Sequence, residues 1–288
     1  MNKSAITIGK FESFHRGHQL LLAKVSEEAQ KSGMDAICCR LLMPGFRLLS
    51  EEEENRFIRD SFPMIREIKS FEFTPEFASM SPETFVKDIL VRELAAGYIA
   101  VGEDFRFGKD RLGNVDTLKE LGLKYDFKVE VVPKLMLEDE VVSSSRIRKL
   151  LEEGEVRKAS ELLGYSYMLT GTVESGKKLG RTMGYPTVNL KVDKSKQLPR
   201  FGVYASRVYT SSDETYNGIT NIGTRPSVDD GDHITIETFI YDFSEDIYGA
   251  DIKVEPVAFI RPEKRFDSID DLTKQIEMDI LKAGEMNQ

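Results

Sequence analysis

The sequence is poor in histidine and cysteine, has no long apolar run and carries no excess of positive charge. Each shortage narrows what the chain can do. Its 288 residues include two cysteines and three histidines. The cysteines, Cys38 and Cys39, are adjacent inside an apolar run that reads as a strand, so their side chains point to opposite faces of a sheet. That arrangement suits neither a disulfide nor a shared metal site, and it reads as two small hydrophobic side chains in a reducing compartment. No run reaches the roughly eighteen apolar residues of a membrane span, and the N-terminus lacks the basic-then-apolar pattern of a secretory leader. A cytoplasmic protein without a membrane partner is the expectation. Forty basic residues against 49 acidic ones give a formal net charge of −9, which argues against a broad nucleic-acid surface while leaving room for a local basic pocket around a nucleotide. Nothing in the composition speaks to oligomeric state.

What is present falls into two patterns. Through the first half, strand-sized apolar runs at residues 5–8, 36–42, 65–71, 98–101 and 128–132 alternate with helical patterns at 19–31, 51–61, 81–93, 115–121, 143–153 and 156–163. Such alternation predicts an α/β fold with a Rossmann-like parallel sheet and ligands beyond the strand C-termini. Ser81-Pro82-Glu83 is a helix start, and Ser50 serves the same purpose for Glu51 to Glu54, which read as a solvated first turn complementing the dipole. From Tyr165 onward the chain changes to short alternating runs at 168–173, 203–209, 216–222, 234–241 and 252–259, divided by Gly, Pro, Asn and Asp. These predict an antiparallel β-barrel, closed by a C-terminal helix over 269–281 that bears Leu272, Ile276 and Ile280. The expected domains are 1–164 and 165–288, with no internal repeat relating them.

Two of the three histidines sit in one turn, G-K-F-E-S-F-H-R-G-H over residues 9–18, between the first strand and the first helix. There His15 and His18 lie at a helix N-terminus, where unpaired N–H groups and the positive dipole end attract phosphate. Gly9 and Gly17 let backbone approach a phosphate closely. Histidine donors in this position can stabilise charge on a phosphoryl group and on departing pyrophosphate; a structural histidine pair is the alternative. A metal site is disfavoured, since His233 is remote in sequence and no cysteine is near. A second turn, residues 101–109, carries Asp104, Phe105, Arg106, Phe107 and Lys109 and reads equally as a ligand loop or as a charged turn flanked by core aromatics. A third segment, Ser143-Ser144-Ser145-Arg146-Ile147-Arg148, combines capping hydroxyls with two guanidinium groups.

In the second half the densest signal is Gly180-Arg181-Thr182-Met183-Gly184-Tyr185-Pro186-Thr187-Val188-Asn189. Thr187 and Asn189 offer hard oxygen donors to Mg²⁺ or phosphate, with Lys177 and Lys178 nearby; a rigid proline turn is the plainer alternative. Strand alternation places Thr235, Glu237 and Phe239 on one face, so the Glu237 carboxylate can act as a base, although an exposed strand glutamate has the same sequence signature.

On these residues the chain resembles the bacterial bifunctional riboflavin kinase and FAD synthetase family over about residues 4–281. His15, Gly17 and His18 match the HxGH nucleotidyltransferase signature, Gly102 to Gly108 match G-x-D-F-x-F-G, and residues 143–148 match S-S-T-R-I-R with Ser145 in place of threonine. In the second half G-R-x-x-G-x-P-T-x-N is intact, as is Asn221-Ile222-Gly223-Thr224-Arg225-Pro226, and Arg261 to Phe266 match R-x-E-x-x-F. The resemblance implies phosphorylation of riboflavin to FMN, then adenylylation of FMN to FAD with release of pyrophosphate. It implies ATP contacts from Gly9, Phe11, His15, Gly17, His18, Ser144, Arg146, Arg148, Gly180, Thr187 and Asn189. Flavin contacts are implied for Asp104, Phe105, Phe107 and Arg261, Mg²⁺ support for Thr187 and Asn189, and a general-base role for Glu237. Two segments depart from the pattern. Glu12-Ser13 stands where the family has Asp-Gly, forfeiting dihedrals open to glycine, and Leu42-Met43-Pro44-Gly45-Phe46 replaces F-x-P-H-P without its histidine. A kinase with a degenerate adenylylation domain, and a non-catalytic flavin-binding regulator, are therefore the alternatives.

Overall fold

The first half is built on β1 (Ser4–Gly9), whose side chains are buried on both faces almost to its end. In the computed structural model, which describes residues 2–43, 45–175, 184–210, 214–227 and 231–286, the chain leaves β1 into α1 (Arg16–Ser32) and returns through β2 (Asp35–Leu42). The helix buries Leu21, Leu22, Val25 and Ala29 on one stripe and stops at Gly33, whose left-handed backbone (φ 68°) ends the turn. It begins three residues before the expected position because the His15 side chain caps it, accepting from the His18 backbone N–H.

The chain then runs through α2 (Glu51–Ser61), β3 (Ile65–Glu72), α3 (Pro75–Ala78) and α4 (Pro82–Thr84), which continues as a π-helix over Phe85–Glu93. Next come β4 (Ala96–Gly102), α5 (Val115–Tyr125), β5 (Lys128–Val132), a small hairpin of β6 (Met136–Leu137) and β7 (Glu140–Val141), α6 (Ser144–Glu153) and α7 (Val156–Leu163). Ser50 and Glu53 form a reciprocal capping box on α2. Strand order is β3-β2-β1-β4-β5, all parallel. The connections run outward from β1 on one side and then cross to β4 on the other, so the crevice between β1 and β4 is the topological switch point. Cys39 joins the core on one face of this sheet with Ile6, Ile8, Ile99 and Val101, and both cysteines are buried free thiols, as expected.

One expectation fails here. Glu54 is not solvated but fully buried, and its carboxylate accepts from Arg40 and, at 2.6 Å, from Arg47. Arg40 projects from β2 with 3% of its side chain exposed and also reaches Glu51 at 3.2 Å and Ser70 at 2.9 Å. An acidic run was indistinguishable in sequence from a solvated cap because its partners lie in other elements.

The second half is a closed antiparallel barrel in the order β10-β11-β12-β9-β8-β13. Its strands are β8 (Leu169–Glu174), β9 (Thr187–Val192), β10 (Gly202–Tyr209), β11 (Thr215–Ser227), β12 (Gly231–Ile240) and β13 (Asp251–Arg261), followed by α8 (Ile269–Met286). Closure gives every strand of the barrel a partner on both sides. Ile276, Ile280 and Ala283 of α8 pack on Val203, Ala205, Ile219 and Ile260. Strand β9 was not expected, although Val188, Leu190 and Val192 alternate within it. Contacts divide the chain into two compact units, Met1–Ser144 and Ser145–Gln288.

Candidate active site

In the first unit the G-K-F-E-S-F-H-R-G-H turn leaves β1 and the 102–108 turn leaves β4, the two strands that flank the switch point. His15 and His18 stack with ring centroids 3.7 Å apart, and Phe11 meets His18 edge-on at 4.9 Å. A neutral imidazole that accepts through Nδ1 carries its proton on Nε2, so the His15 bond to the His18 backbone N–H, 3.3 Å long, leaves Nε2–H as a donor. Burial pulls the His15 pKa down to about 4, and burial together with the adjacent His15 holds His18 well below the usual histidine range. Both rings are therefore neutral donors at pH 7 in the free protein. His18 Nδ1 is buried with no hydrogen-bond partner among the described residues.

Gly17 is favoured by close approach: a Cβ there would lie 3.1 Å from the His15 ring, which would have to give by a few tenths of an ångström. Gly9 is not, since its Cβ would meet Phe11 at an ordinary 3.4 Å. The left-handed positions of this turn are instead Phe11 and Phe14, both at φ 42° and both fully buried. Phe14 stacks on Phe57 of α2 at 5.6 Å, which sets the Arg40–Glu54–Arg47 network beside the turn. Burial raises the Glu54 pKa, opposed by Arg47 and Arg40.

Ser13, fully buried, hydrogen-bonds through Oγ to Ser144 Oγ at 2.9 Å and so joins the histidine turn to the first residue of α6. Further along that helix, Arg146 and Arg148 are two residues apart and point roughly 200° away from each other. They do not share a face: Arg146 lies 3.8 Å from Glu153, and Arg148 donates to Gln197 at 3.2 Å. In the 102–108 turn Asp104 is exposed and paired with Lys134 at 3.2 Å. Phe105 is half-buried and stacks at 5.4 Å on Phe107, which is itself a core residue packed against Phe85 at 5.5 Å. Of the two rings expected at a flavin, Phe105 is the one with exposed surface.

In the second unit, register brings the expected kinase residues together. Asn189 on β9 stands directly opposite Glu237 on β12, and Thr187 opposite Phe239. Directly opposed residues on antiparallel strands lie about 5 Å apart at Cα with side chains on one face. Ile236, Thr238 and Ile240 are buried on the other face, where Thr238 Oγ1 contacts Thr220 Oγ1 at 2.9 Å. The Glu237 face is the one on which Phe239 and Tyr241 pack with α8. Tyr185 meets Phe239 edge-on at 5.4 Å and donates to Glu277 of α8 at 3.3 Å. Asn221 of β11 occupies the other side of Glu237 in the same row. Arg261 shares that row only through Val203 on β10, three strands from Glu237 and so roughly 14 Å along the wall. Its guanidinium grips the buried Asp279 of α8 with Nε at 3.0 Å and Nη2 at 2.8 Å. Gly180, with Lys177, Lys178 and Arg181 to Met183, lies outside the described residues, as does Pro44.

Two family models match: FAD synthetase over residues 1–146 and riboflavin kinase over residues 163–287. A curated relative from Buchnera aphidicola subsp. Acyrthosiphon pisum, a bifunctional riboflavin kinase/FMN adenylyltransferase, is 35% identical over 97% of this chain and 92% of its own. One of the same description from Bacillus subtilis is 33% identical over 98% of this chain and 92% of its own. The chain belongs to the bifunctional riboflavin kinase/FMN adenylyltransferase family. A solved structure from Streptococcus pneumoniae, described as a macrolide-efflux protein, shares this family member's fold with a TM-score of 0.86 at 28% identity, covering 98% of this chain and 94% of that one. No helix among the described residues here is long and apolar enough to cross a membrane.

The family implies ATP, Mg²⁺ and flavins. Among the described residues no group of three or more His, Cys, Asp or Glu could hold a metal ion, but Mg²⁺ needs few protein ligands when phosphate oxygens and water complete its shell. The Thr187 hydroxyl and Asn189 amide oxygen, two residues apart on one strand face beside Glu237, fit that requirement. Sequence reasoning did not single out Asn221, Ser13 and Tyr185, which the fold places next to the expected site residues or their neighbours. Asn221 had a signal in its own family motif, whereas Ser13 was visible only as a departure.

Proposed function

We propose that the chain phosphorylates riboflavin to FMN in the barrel and adenylylates FMN to FAD at the histidine turn, with residues 1–164 serving the second reaction and 165–288 the first. The observation that carries this reading is the Asn189–Glu237 pairing, which sets two oxygen ligands and a carboxylate on one face. In the kinase reaction Glu237 takes the proton of the riboflavin 5′-hydroxyl as its oxygen attacks the terminal phosphorus of ATP, and ADP leaves. Thr187 and Asn189 orient the triphosphate. Mg²⁺, when bound there, offsets the charge on the phosphate oxygens.

In the adenylylation reaction an FMN phosphate oxygen attacks the α-phosphorus of a second ATP and pyrophosphate departs. That nucleophile is already an anion, so no side chain must remove its proton. His15 and His18 serve as neutral N–H donors to the charge that builds on the phosphates, with Ser144 joined to their turn through Ser13; Arg148 is assigned to the triphosphate. Gly9, Phe11 and Gly17 shape the turn, Arg146 is assigned to the triphosphate, and Asp104, Phe105 and Phe107 to the flavin; Gly180 and Arg261 are assigned to the ATP and the flavin of the kinase reaction instead.

Purified protein incubated with riboflavin, ATP and Mg²⁺ yields FMN first, then FAD and pyrophosphate. FMN without FAD would favour a kinase with an inactive first domain, and tight flavin binding without either product would favour a regulator.

A further inference from the structure

Position 13 holds serine where the family pattern has glycine, and the structure gives that serine a partner. Its side chain is fully buried, and the left-handed backbone of the turn falls on Phe11 and Phe14, not on residue 13. Glycine's conformational freedom is therefore not used there. The Ser13 hydroxyl lies 2.9 Å from that of Ser144, 131 residues away in sequence. A second approach joins the same two segments, since a Cβ on Gly17 would come within 3.9 Å of the Val142 carbonyl oxygen.

We propose that Ser13 is a positioning residue for adenylylation, donating its hydroxyl hydrogen to Ser144 Oγ and thereby aiming the Ser144 hydroxyl at an ATP phosphate. The proposal rests on the reading of Ser144 as a phosphate contact. A hydroxyl has one hydrogen to give and two lone pairs to receive, whereas a phosphate oxygen only accepts. Ser144 must therefore spend its single hydrogen on the phosphate and can take only an acceptor's part toward Ser13. The run Ser13 O–H to Ser144 O–H to phosphate oxygen is the one polarity that satisfies all three groups, and each bond in such a run strengthens the next. Without Ser13, the Ser144 oxygen loses the donor that fixes its orientation, and its hydroxyl hydrogen is free to rotate away from the phosphate. The substitution thus converts a glycine position into a tie between the histidine turn and the serine-arginine segment.

The test is steady-state FMN adenylylation by the full chain carrying Ser13→Ala, Ser13→Gly, Ser144→Ala or Ser13→Ala with Ser144→Ala, with riboflavin phosphorylation measured on the same preparations. Both Ser13 variants should raise KM for ATP roughly 3- to 10-fold, the worth of one hydrogen bond, with kcat within about twofold. The double variant should lose no more than Ser144→Ala alone, because Ser13 acts through Ser144. Additive losses, or an unchanged KM in the Ser13 variants while Ser144→Ala raises it, would overturn the proposal and leave the role of Ser144 standing. An unchanged KM in Ser144→Ala would remove the Ser144 reading and the proposal with it. A parallel fall in riboflavin phosphorylation would also overturn it, since the tie concerns the adenylylation ATP alone.

Discussion

Lowering the pH tests whether the histidine turn works with neutral rings. Burial takes His15 from an ordinary 6.5 to about 4, a difference of about 2.5 pH units or about 3 kcal/mol. At pH 7 its protonated fraction is then about one in a thousand. The folded value lies below the unfolded one, so between pH 6.5 and 4 the unfolded chain binds more protons. The stability from keeping this ring neutral is present in full above about pH 6.5 and is lost as pH falls toward 4, with about 2 kcal/mol gone at pH 5. His18, shifted the same way, adds to the loss. The assay is an NMR titration of the imidazole resonances, assigned with His15→Gln, alongside chemical denaturation of both proteins at pH 7.5 and pH 5. His15 should not titrate between pH 8 and 5, and His15→Gln should lose less stability than the parent over that interval. A His15 midpoint near 6.5 with identical losses in the two proteins would refute the argument and return the turn to a cationic mechanism.

Three further outcomes follow from named contacts. Glu54→Gln leaves the Arg40 guanidinium, 3% exposed, without its buried counter-charge and should cost about 3–5 kcal/mol in denaturant unfolding of the first unit, while adding Arg40→Met recovers most of it; a loss below about 1 kcal/mol would mean that Arg40 is not desolvated. Thr187→Ala should shift the Mg²⁺ titration of FMN formation to higher concentration, and an unchanged titration would reject its part in holding the metal. Glu237→Gln keeps the shape of the side chain but not the base, so kcat for FMN formation should fall roughly 10²- to 10⁴-fold with ATP binding retained. Unimpaired turnover would reject the base.

Local signals carried most of the fold. Helix α2 begins and ends where its cap and acidic turn foretell, β5 and α7 occupy their expected residues, and the alternation on β12 assigns Glu237 to the right face. The misses share a cause, which is that the deciding partner lies elsewhere in the chain. Glu54 reads as solvent-facing until Arg40 and Arg47 are found beside it. Strand β9 hides because Pro186 and the glycines before it read as a loop, and only pairing with β12 and β8 reveals its alternation. In the sites, Asn189 and Glu237 could be named from sequence, but their opposition across two strands is a matter of register. The strain at Phe11 and Phe14 left no signal, because glycines at 9 and 17 drew the expectation to themselves.

The most direct measurement of two separable sites crosses the variants with the substrates. Glu237→Gln supplied with FMN, ATP and Mg²⁺ should still release FAD and pyrophosphate at the parent rate while making little FMN from riboflavin. His18→Ala should do the reverse, forming FMN normally and little FAD. If either variant abolishes both reactions, or the parent forms no FAD from FMN, the account of one chain with two independent chemistries is contradicted.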